Sequence, residues 1–309
     1  MLTAVEPDRC GVVARSADAV PGGQWLGLAV VTVTRSPGKA LDRFLDSVQA
    51  ATTGPVHVVL VDAGSTDGAP ERAAQRDGVA LLCLHEDIGR GAGANRGVVE
   101  LGPDVGWIAI VAPDVEYGEG SLDELLAAAV RHPRAGALGP RVRDPGGTVR
   151  PSAWELPSSR MLPALVDTLL GAAPAVAPAA EGPVGWLGGS CLLLRRAAWE
   201  SVDGFDPRYP GPYDDVDLGD RLTRAGWLCV HVPSAEVVVA SRAVDREAVL
   251  SGRRRYLTDR HTGLRRIALK IAVALHATVT SPIADALPVA VSKRAPRALR
   301  AAVRTWTAT

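Results

Sequence analysis

The sequence predicts an α/β fold built on a mostly parallel central sheet, and three observations predict it. Short Val-rich runs such as "LGLAVVTVT", "VHVVLVD", "VALLCLHE" and "VGWIAIVAPD" are almost continuously apolar, as strands buried on both faces must be. Between them lie segments whose apolar residues recur at helical spacing. Strand and helix alternate along residues 26–131, the order of a doubly wound sheet. With 309 residues, 47% of them hydrophobic, the chain can bury a sizeable core.

Taken in order, residues 1–25 read as an N-terminal extension and residues 26–34 as the first strand. In "SPGKALDRFLDSVQAAT", Pro37 suits a first helical turn, and Leu41, Phe44, Leu45 and Val48 share one face. The second strand, "VHVVLVD", ends at Asp62. "GAPERAAQRDG" reads as a helix stopped by Gly78, and "VALLCLHE" as the third strand. "GAGANRGVVELG" reads as a helix with a Gly-rich entry, and the fourth strand, "VGWIAIVAPD", ends in Asp114. In "GSLDELLAAAVRHP", Ser121 and Glu124 have the spacing of a capping box. "DPGGTV" is a turn, and residues 157–182, rich in Pro and Ala, read as a mobile helix-loop segment. "VGWLGGSCLLLRRAAWE" is a strand entering a helix. "YDDVDLGDRLTRAGW" is an acid-headed helix, with Asp214 as its N-cap and Gly226 at its end. "LCVHVPSAEVVVAS" is extended, and from 241 onward the chain reads as helical, basic and amphipathic.

Ligands of open parallel sheets bind beyond the carboxyl ends of the strands, and two of these strands end in aspartate. A carboxylate at Asp62 can accept the imide N–H of uracil or thymine, and one at Asp114 can hold Mg²⁺ or Mn²⁺ bridging a diphosphate. Aspartates also fill turns and cap helices, so each alone has a plain structural reading. Asp214, Asp215, Asp217 and Asp220 place four carboxylates in seven residues. Capping needs fewer, and a pair at a helix start can supply a general base.

In this order, "TVT…DAGSTDG…GAGAN…APDV…VGWLGGSCLLLRR…GFDPRY…DDVDLGDRL…GW…PSAEV" resembles the family-two inverting glycosyltransferases of the GT-A fold. It is most like the actinobacterial rhamnosyltransferases, which act on decaprenyl-diphospho-N-acetylglucosamine in building the linker between peptidoglycan and arabinogalactan. The resemblance covers residues 28–262. It implies a GT-A domain over residues 26–240 and transfer of a sugar from a dTDP- or UDP-sugar, with dTDP-L-rhamnose expected, to a polyprenyl-diphospho-sugar. It implies that Asp62, with Gly64 and Ser65, contacts the nucleobase, and that Thr34 and Asn95 lie with the nucleotide. By the same likeness Asp114 is the metal ligand, Asp215 the base and Asp214 its orienting partner. Trp186, Gly188 and Gly189 line the acceptor pocket.

The chain departs from the family pattern at Ala63, at Asp87 and at Ala112, and after "PSAEV" the relatives' histidines are absent. These changes motivate a second expectation, a non-catalytic relative that binds a nucleotide sugar or a partner protein. "GRGAGANRG" lacks the third Gly of a dinucleotide-binding turn and follows the third strand. "GGSCL" has Leu192 where a hydrolase elbow has Gly.

From Ser241 on there are 14 Lys+Arg against 4 Asp+Glu, and the rest of the chain carries the opposite net charge of −10. A basic tail over residues 241–309 fits an anionic partner, here a membrane surface rather than nucleic acid. In "GLRRIALKIAVALHATV" a helix would align Leu264, Ile267, Ile271 and Leu275. Arg253, Arg254 and Arg255 could alternatively hold a diphosphate. The first twenty residues carry charges where a leader's apolar stretch belongs, and the longest apolar stretch is broken by Lys270 and His276. The expectation is a cytoplasmic protein, peripheral at the inner face of the plasma membrane. The four scattered cysteines form no C-x-x-C and read as free thiols in a reducing compartment.

Overall fold

The continuous apolar runs form strands because both of their faces are covered. A computed structural model describes residues 27–84, 86–157, 176, 179–240, 246–260, 267 and 271. Strands β1 (Gly27–Thr34), β2 (Val56–Asp62), β3 (Val79–Cys83) and β4 (Val105–Val111) lie parallel in the order β3-β2-β1-β4. Between them run α1 (Ala40–Ala50), α2 (Ala69–Ala73) and α3 (Arg90–Val99). β5 (Val115–Tyr117), α4 (Ser121–Arg131) and β6 (Ala135–Arg143) follow. The short strands β7 (Val149–Arg150), β8 (Ala153–Trp154), β9 (Gly182–Val184) and β10 (Trp186–Leu187) precede β11 (Cys191–Arg195). The remainder comprises α5 (Arg196–Ser201), α6 (Asp214–Arg224), β12 (Leu228–Val239) and α7 (Arg246–Arg260).

The main sheet runs β3-β2-β1-β4-β11-β6-β12-β5. β11 is antiparallel to both β4 and β6, whereas β12 is parallel to β6. The sheet is therefore mostly parallel, as the sequence predicts, with β11 as an antiparallel insertion between β4 and β6. β8 and β10 pair separately, with Trp154 opposite Trp186.

Successive residues of each strand feed opposite cores. On one face Val30, Leu60 and Ala109 meet Leu41, Phe44, Leu45 and Val48 of α1 and Leu122 and Leu125 of α4. On the other, Val31, Val61 and Ile110 meet Ala94 and Val98 of α3, Trp199 of α5 and Leu218 and Leu222 of α6. Each large side chain so buried contributes roughly 1.5–3 kcal/mol.

Several local expectations are corrected. Pro37 lies in the loop ahead of α1, which begins at Ala40. β4 ends at Val111, so Asp114 stands in the turn to β5 and not at the strand end. Gly120 (φ 66°) occupies the N-cap of α4, and no capping box forms. Ser121 Oγ instead donates to the Glu236 carbonyl at 2.7 Å, and Glu124 accepts from Arg131 and Ser234. Asp214 is the first helical residue of α6, and Tyr213 is its N-cap. Cys191 and Cys229 are buried free thiols, but Cys83 is in a disulfide. Of the 157–182 segment, residues 158–175, 177 and 178 lie outside the described residues, as do residues 1–26.

By internal contacts the chain divides into two units, Met1–Pro157 with Pro174–Tyr256 and Ser158–Ala173 with Leu257–Thr309. Within the second, Ile267 and Ile271 are helical and exposed; Leu264 and Leu275 lie outside the described residues. No helix among the described residues is long and apolar enough to cross a membrane.

α3 lies flush on the sheet because Gly97 faces it. A Cβ there would stand 2.6 Å from Val31 Cγ1 and 2.7 Å from Val61 Cγ2. Gly97→Ala is expected to destabilise the fold by about 1–3 kcal/mol, read from the urea midpoint. An unchanged midpoint would mean that the helix can lift off the strands.

Candidate active site

The parallel half of the sheet delivers its carboxyl ends to one cleft of about 430 Å³, as open α/β sheets do. Thr34 at the end of β1, Ala63 after β2, and Ala112 and Asp114 after β4 line it, with Arg35, Asp87 and Arg90. Thr34 Oγ1 is buried and has no hydrogen-bond partner among the described residues. A buried hydroxyl in that state is a place for a ligand's polar group.

Asp62 is buried, and both of its oxygens face the Ser65 N–H, at 3.0 and 3.2 Å. Gly64 (φ 84°) lets the loop turn back over that carboxylate. Ser65 Oγ accepts the Ser36 N–H at 2.7 Å, which laces the loop after β1 to the loop after β2. Asp62, Gly64 and Ser65 thus form one turn beside the cleft. Asn95 is brought elsewhere. Its side-chain amide donates to the Phe205 carbonyl at 2.8 Å and its oxygen accepts the Phe205 N–H at 2.9 Å. It clips the 205 loop to α3 and does not line the cleft.

The acidic helix start resolves into four carboxylates in different states. Arg90, the first residue of α3, grips Asp214 with two bonds, Nε to Oδ2 at 3.1 Å and Nη2 to Oδ1 at 2.5 Å. Its remaining Nη1 donates to the Gly189 carbonyl at 2.5 Å. Asp217 pairs with Arg221 at 2.7 Å and Asp220 with Arg224 at 3.2 Å. Asp215 alone of the four has no arginine partner among the described residues. Its Oδ2 accepts the Gly189 N–H at 2.9 Å and its Oδ1 the Val216 N–H. Burial and the neighbouring Asp214 charge raise its carboxyl to about 6, against the opposing pull of Arg90 and the two N–H donors. Tyr213, just before the pair, is held at φ 78°, a strained conformation for a bulky residue.

Gly188 and Gly189 connect this pair to the tryptophans. Trp186 is buried and stacks on Trp154 with centroids 4.3 Å apart. The Gly188 N–H donates to the Ser152 carbonyl, and a Cβ on Gly188 would press on the Trp154 ring at 3.1 Å. A side chain on Gly189 would strike the Arg90 guanidinium at 2.3 Å. Trp186, Gly188 and Gly189 therefore form one wall next to Asp215.

Asp114 brings a single hard-oxygen ligand to the cleft, and no group of three or more metal-ligating side chains gathers among the described residues. This donor set fits a hard divalent cation that takes most of its ligands from substrate phosphates and water. It does not make a closed protein cage.

Sequence reading missed Arg90. The excess of acid called for a countercharge, but the arginine that supplies it is 124 residues away. Arg90→Ala is expected to leave Asp214 buried and unpaired, at a cost of about 3–5 kcal/mol. Arg35→Ala, which removes the exposed pair with Asp87, should cost less than about 1 kcal/mol. Equal thermal shifts for the two variants would remove Arg90 from this role.

Comparison with known proteins bears on the family and the fold. The glycosyl transferase family 2 profile matches residues 29–166. The chain is 45% identical over 271 residues to the N-acetylglucosaminyl-diphospho-decaprenol L-rhamnosyltransferase of Mycobacterium tuberculosis, covering 79% of this chain and 88% of that protein. Among solved structures, it is similar to the mannosyltransferase PcManGT of Pyrobaculum calidifontis in complex with GDP-Man and Mn²⁺, with TM-score 0.52 and 18% identity over 95% of this chain and 87% of that one. It is also similar to S. aureus TarS 1-349 in complex with UDP, with TM-score 0.53 and 14% identity over 85% of this chain and 76% of that one. A mostly parallel sheet with its cleft at the strand ends, and an identity of this extent to a rhamnosyltransferase, make the chain a member of glycosyltransferase family 2 with the GT-A fold.

Proposed function

We propose that the protein is an inverting glycosyltransferase that moves L-rhamnose from dTDP-L-rhamnose to a polyprenyl-diphospho-N-acetylglucosamine acceptor, a step in building a cell-wall polysaccharide linker. The observation that carries the reading is Asp215, the one acid of four left without an arginine, with its carboxyl raised to about 6 and its Oδ2 bonded to the N–H of Gly189, the residue whose carbonyl holds the cleft-lining Arg90. A base poised near neutral pH is what deprotonation of a sugar hydroxyl needs.

In this reading the acceptor hydroxyl oxygen attacks the anomeric carbon of the donor. The bond from that carbon to the diphosphate oxygen breaks, dTDP leaves with the electron pair, and Asp215 takes the hydroxyl proton. Attack opposite the leaving group inverts the centre. Asp214, fixed by Arg90, receives the Asp215 N–H at 2.7 Å and so orients the base. Thr34 and the Asp62–Gly64–Ser65 turn would receive the nucleotide, with Asp62 keeping acceptor capacity beyond its bond to Ser65. Asp114 would hold Mg²⁺ or Mn²⁺, which when bound neutralises the departing diphosphate. Trp186, Gly188 and Gly189 would wall the acceptor sugar. Asn95 supports this site only at a distance, through the Phe205 loop. Residues 26–240 form the catalytic part in this reading, behind the extension of residues 1–25.

The basic segment of residues 241–309 would hold the enzyme at the anionic cytoplasmic face of the plasma membrane, where a lipid-linked acceptor lies. Each Lys or Arg near such a surface adds about 1 kcal/mol, and exposed Ile267 and Ile271 would dip into the interface.

Asp215→Asn is expected to lower kcat by about 10²–10⁴-fold while calorimetric dTDP affinity, stronger with Mn²⁺ than without, stays unchanged. In the wild type, kcat/KM should be flat above pH 6 and fall as pH drops through it, because protonated Asp215 cannot accept the proton. Wild-type turnover in Asp215→Asn would remove Asp215 as the base, and dTDP binding indifferent to Mn²⁺ would remove the cation from Asp114. Deleting residues 263–309 should release the protein from phosphatidylglycerol-containing vesicles; retention would count against the membrane role.

A further inference from the structure

α7 reaches the acidic pair through a glycine. A Cβ on Gly252 would lie 2.3 Å from the Pro212 carbonyl oxygen and 3.0 Å from Tyr213 Cβ. Only glycine permits that contact, so the helix is pressed against the residues that open α6. One turn on, the Tyr256 ring lies 6.0 Å from that of Tyr213. The strained Tyr213 is thus clamped between α7 and Asp214.

Three consecutive arginines follow Gly252, and the contact gives them different surroundings. Arg254 is exposed, and Arg255 lies over the Tyr209 ring at 6.0 Å. Arg253 is half-buried on the Tyr213 side and has no hydrogen bond or ion pair among the described residues. The other arginines around the acidic helix, Arg90, Arg208, Arg221 and Arg224, each hold a carboxylate. The charges of Arg253 and Asp215 both act on the Tyr213 hydroxyl, in opposite directions. Arg253 does not line the cleft at the strand ends, where Arg35 and Arg90 are the cations.

We propose that Arg253 is the acceptor-side phosphate ligand, its guanidinium receiving the diphosphate of the lipid-linked acceptor while the acceptor sugar reaches Asp215. The proposal rests on the glycosyl-transfer reading and adds to it a second anion site, separate from the donor's. A planar fork matches two phosphate oxygens at once. Binding so far from the reacting hydroxyl contributes by fixing where the sugar ring sits relative to the base. The Gly252 contact and the Tyr213–Tyr256 pair set the reach of the side chain, so Arg253 moves with α6 and Asp215.

The test is calorimetric titration of the full chain, saturated with dTDP and Mn²⁺, with geranyl diphosphate. Arg253→Ala should weaken binding by roughly 10- to 100-fold, the loss of a charge-assisted hydrogen bond. Arg253→Lys should restore part of it, and Arg254→Ala should leave it unchanged. In turnover, Arg253→Ala should raise KM for a prenyl-diphospho-N-acetylglucosamine by a similar factor with kcat little changed. It should leave KM for dTDP-rhamnose, and for an uncharged alkyl N-acetylglucosaminide, where it was. Unaltered geranyl diphosphate affinity in Arg253→Ala, wild-type protein that binds none of it, or complete displacement by dTDP would each overturn the proposal. Failure of the wild type to transfer sugar from any donor would instead overturn the glycosyl-transfer reading, and the titration would still report on Arg253.

Discussion

The ion pair between Arg90 and Asp214 is the contact on which the rest of the site depends. Asp214 is 2% exposed and Arg90 28%, so both charges have given up much of their water. Their attraction offsets that loss only when the geometry is good and the remaining donors are satisfied. Here the guanidinium makes two bonds to Asp214 and one to the Gly189 carbonyl. Burial works against the charge of Arg90, and Asp214 and Asp215 more than offset it. One side chain therefore joins the start of α3, the 188–190 loop and the start of α6. Those three segments carry the cleft-lining Arg90, the Gly188–Gly189 pair and Asp215.

This pairing also sets the chemistry of Asp215. An arginine bonded directly to it would hold the carboxyl low and leave a weak base. With Arg90 engaged by Asp214, Asp215 feels the adjacent negative charge and its own burial, moderated by two backbone N–H groups. The remaining acids are neutralised one turn along their own helix, Asp217 by Arg221 and Asp220 by Arg224. Repulsion among four carboxylates is thus dispersed everywhere except at Asp215. The strained Tyr213 sits at the same point, as backbone strain at functional sites often does.

At Ala63 and Ala112 the cleft is shaped by backbone hydrogen bonds. The Ala63 N–H donates to the Thr34 carbonyl and the Ala112 N–H to the Ser190 carbonyl, at 2.9 and 2.8 Å. These bonds extend the sheet's own ladder past the strand ends, so the floor is built from backbone. The laced loops at Ser36–Ser65 and Gly38–Asp67 hold the adjoining rim.

The sequence by itself determined the repeating part of the protein. Short, Val-rich and almost continuously apolar runs such as "VHVVLVD" read as buried strands, and Leu41, Phe44, Leu45 and Val48 share one face only at helical spacing. Periodicity is local, and local sequence carries it. It also marked the helix bearing Asp214 and Asp215, because four acids in seven residues stand out without any structure. The tertiary structure decided the partners. Asp214 and Arg90 are 124 residues apart, and nothing near either one names the other. Ser121 bonds β12 rather than capping its own helix, and Asn95 clips a loop 110 residues away. β11 enters antiparallel between β4 and β6, a choice its apolar run leaves open. Which of these groups meet is fixed only when the sheet order brings their chain segments together, since hydrogen bonds and ion pairs depend on distances that sequence spacing does not set.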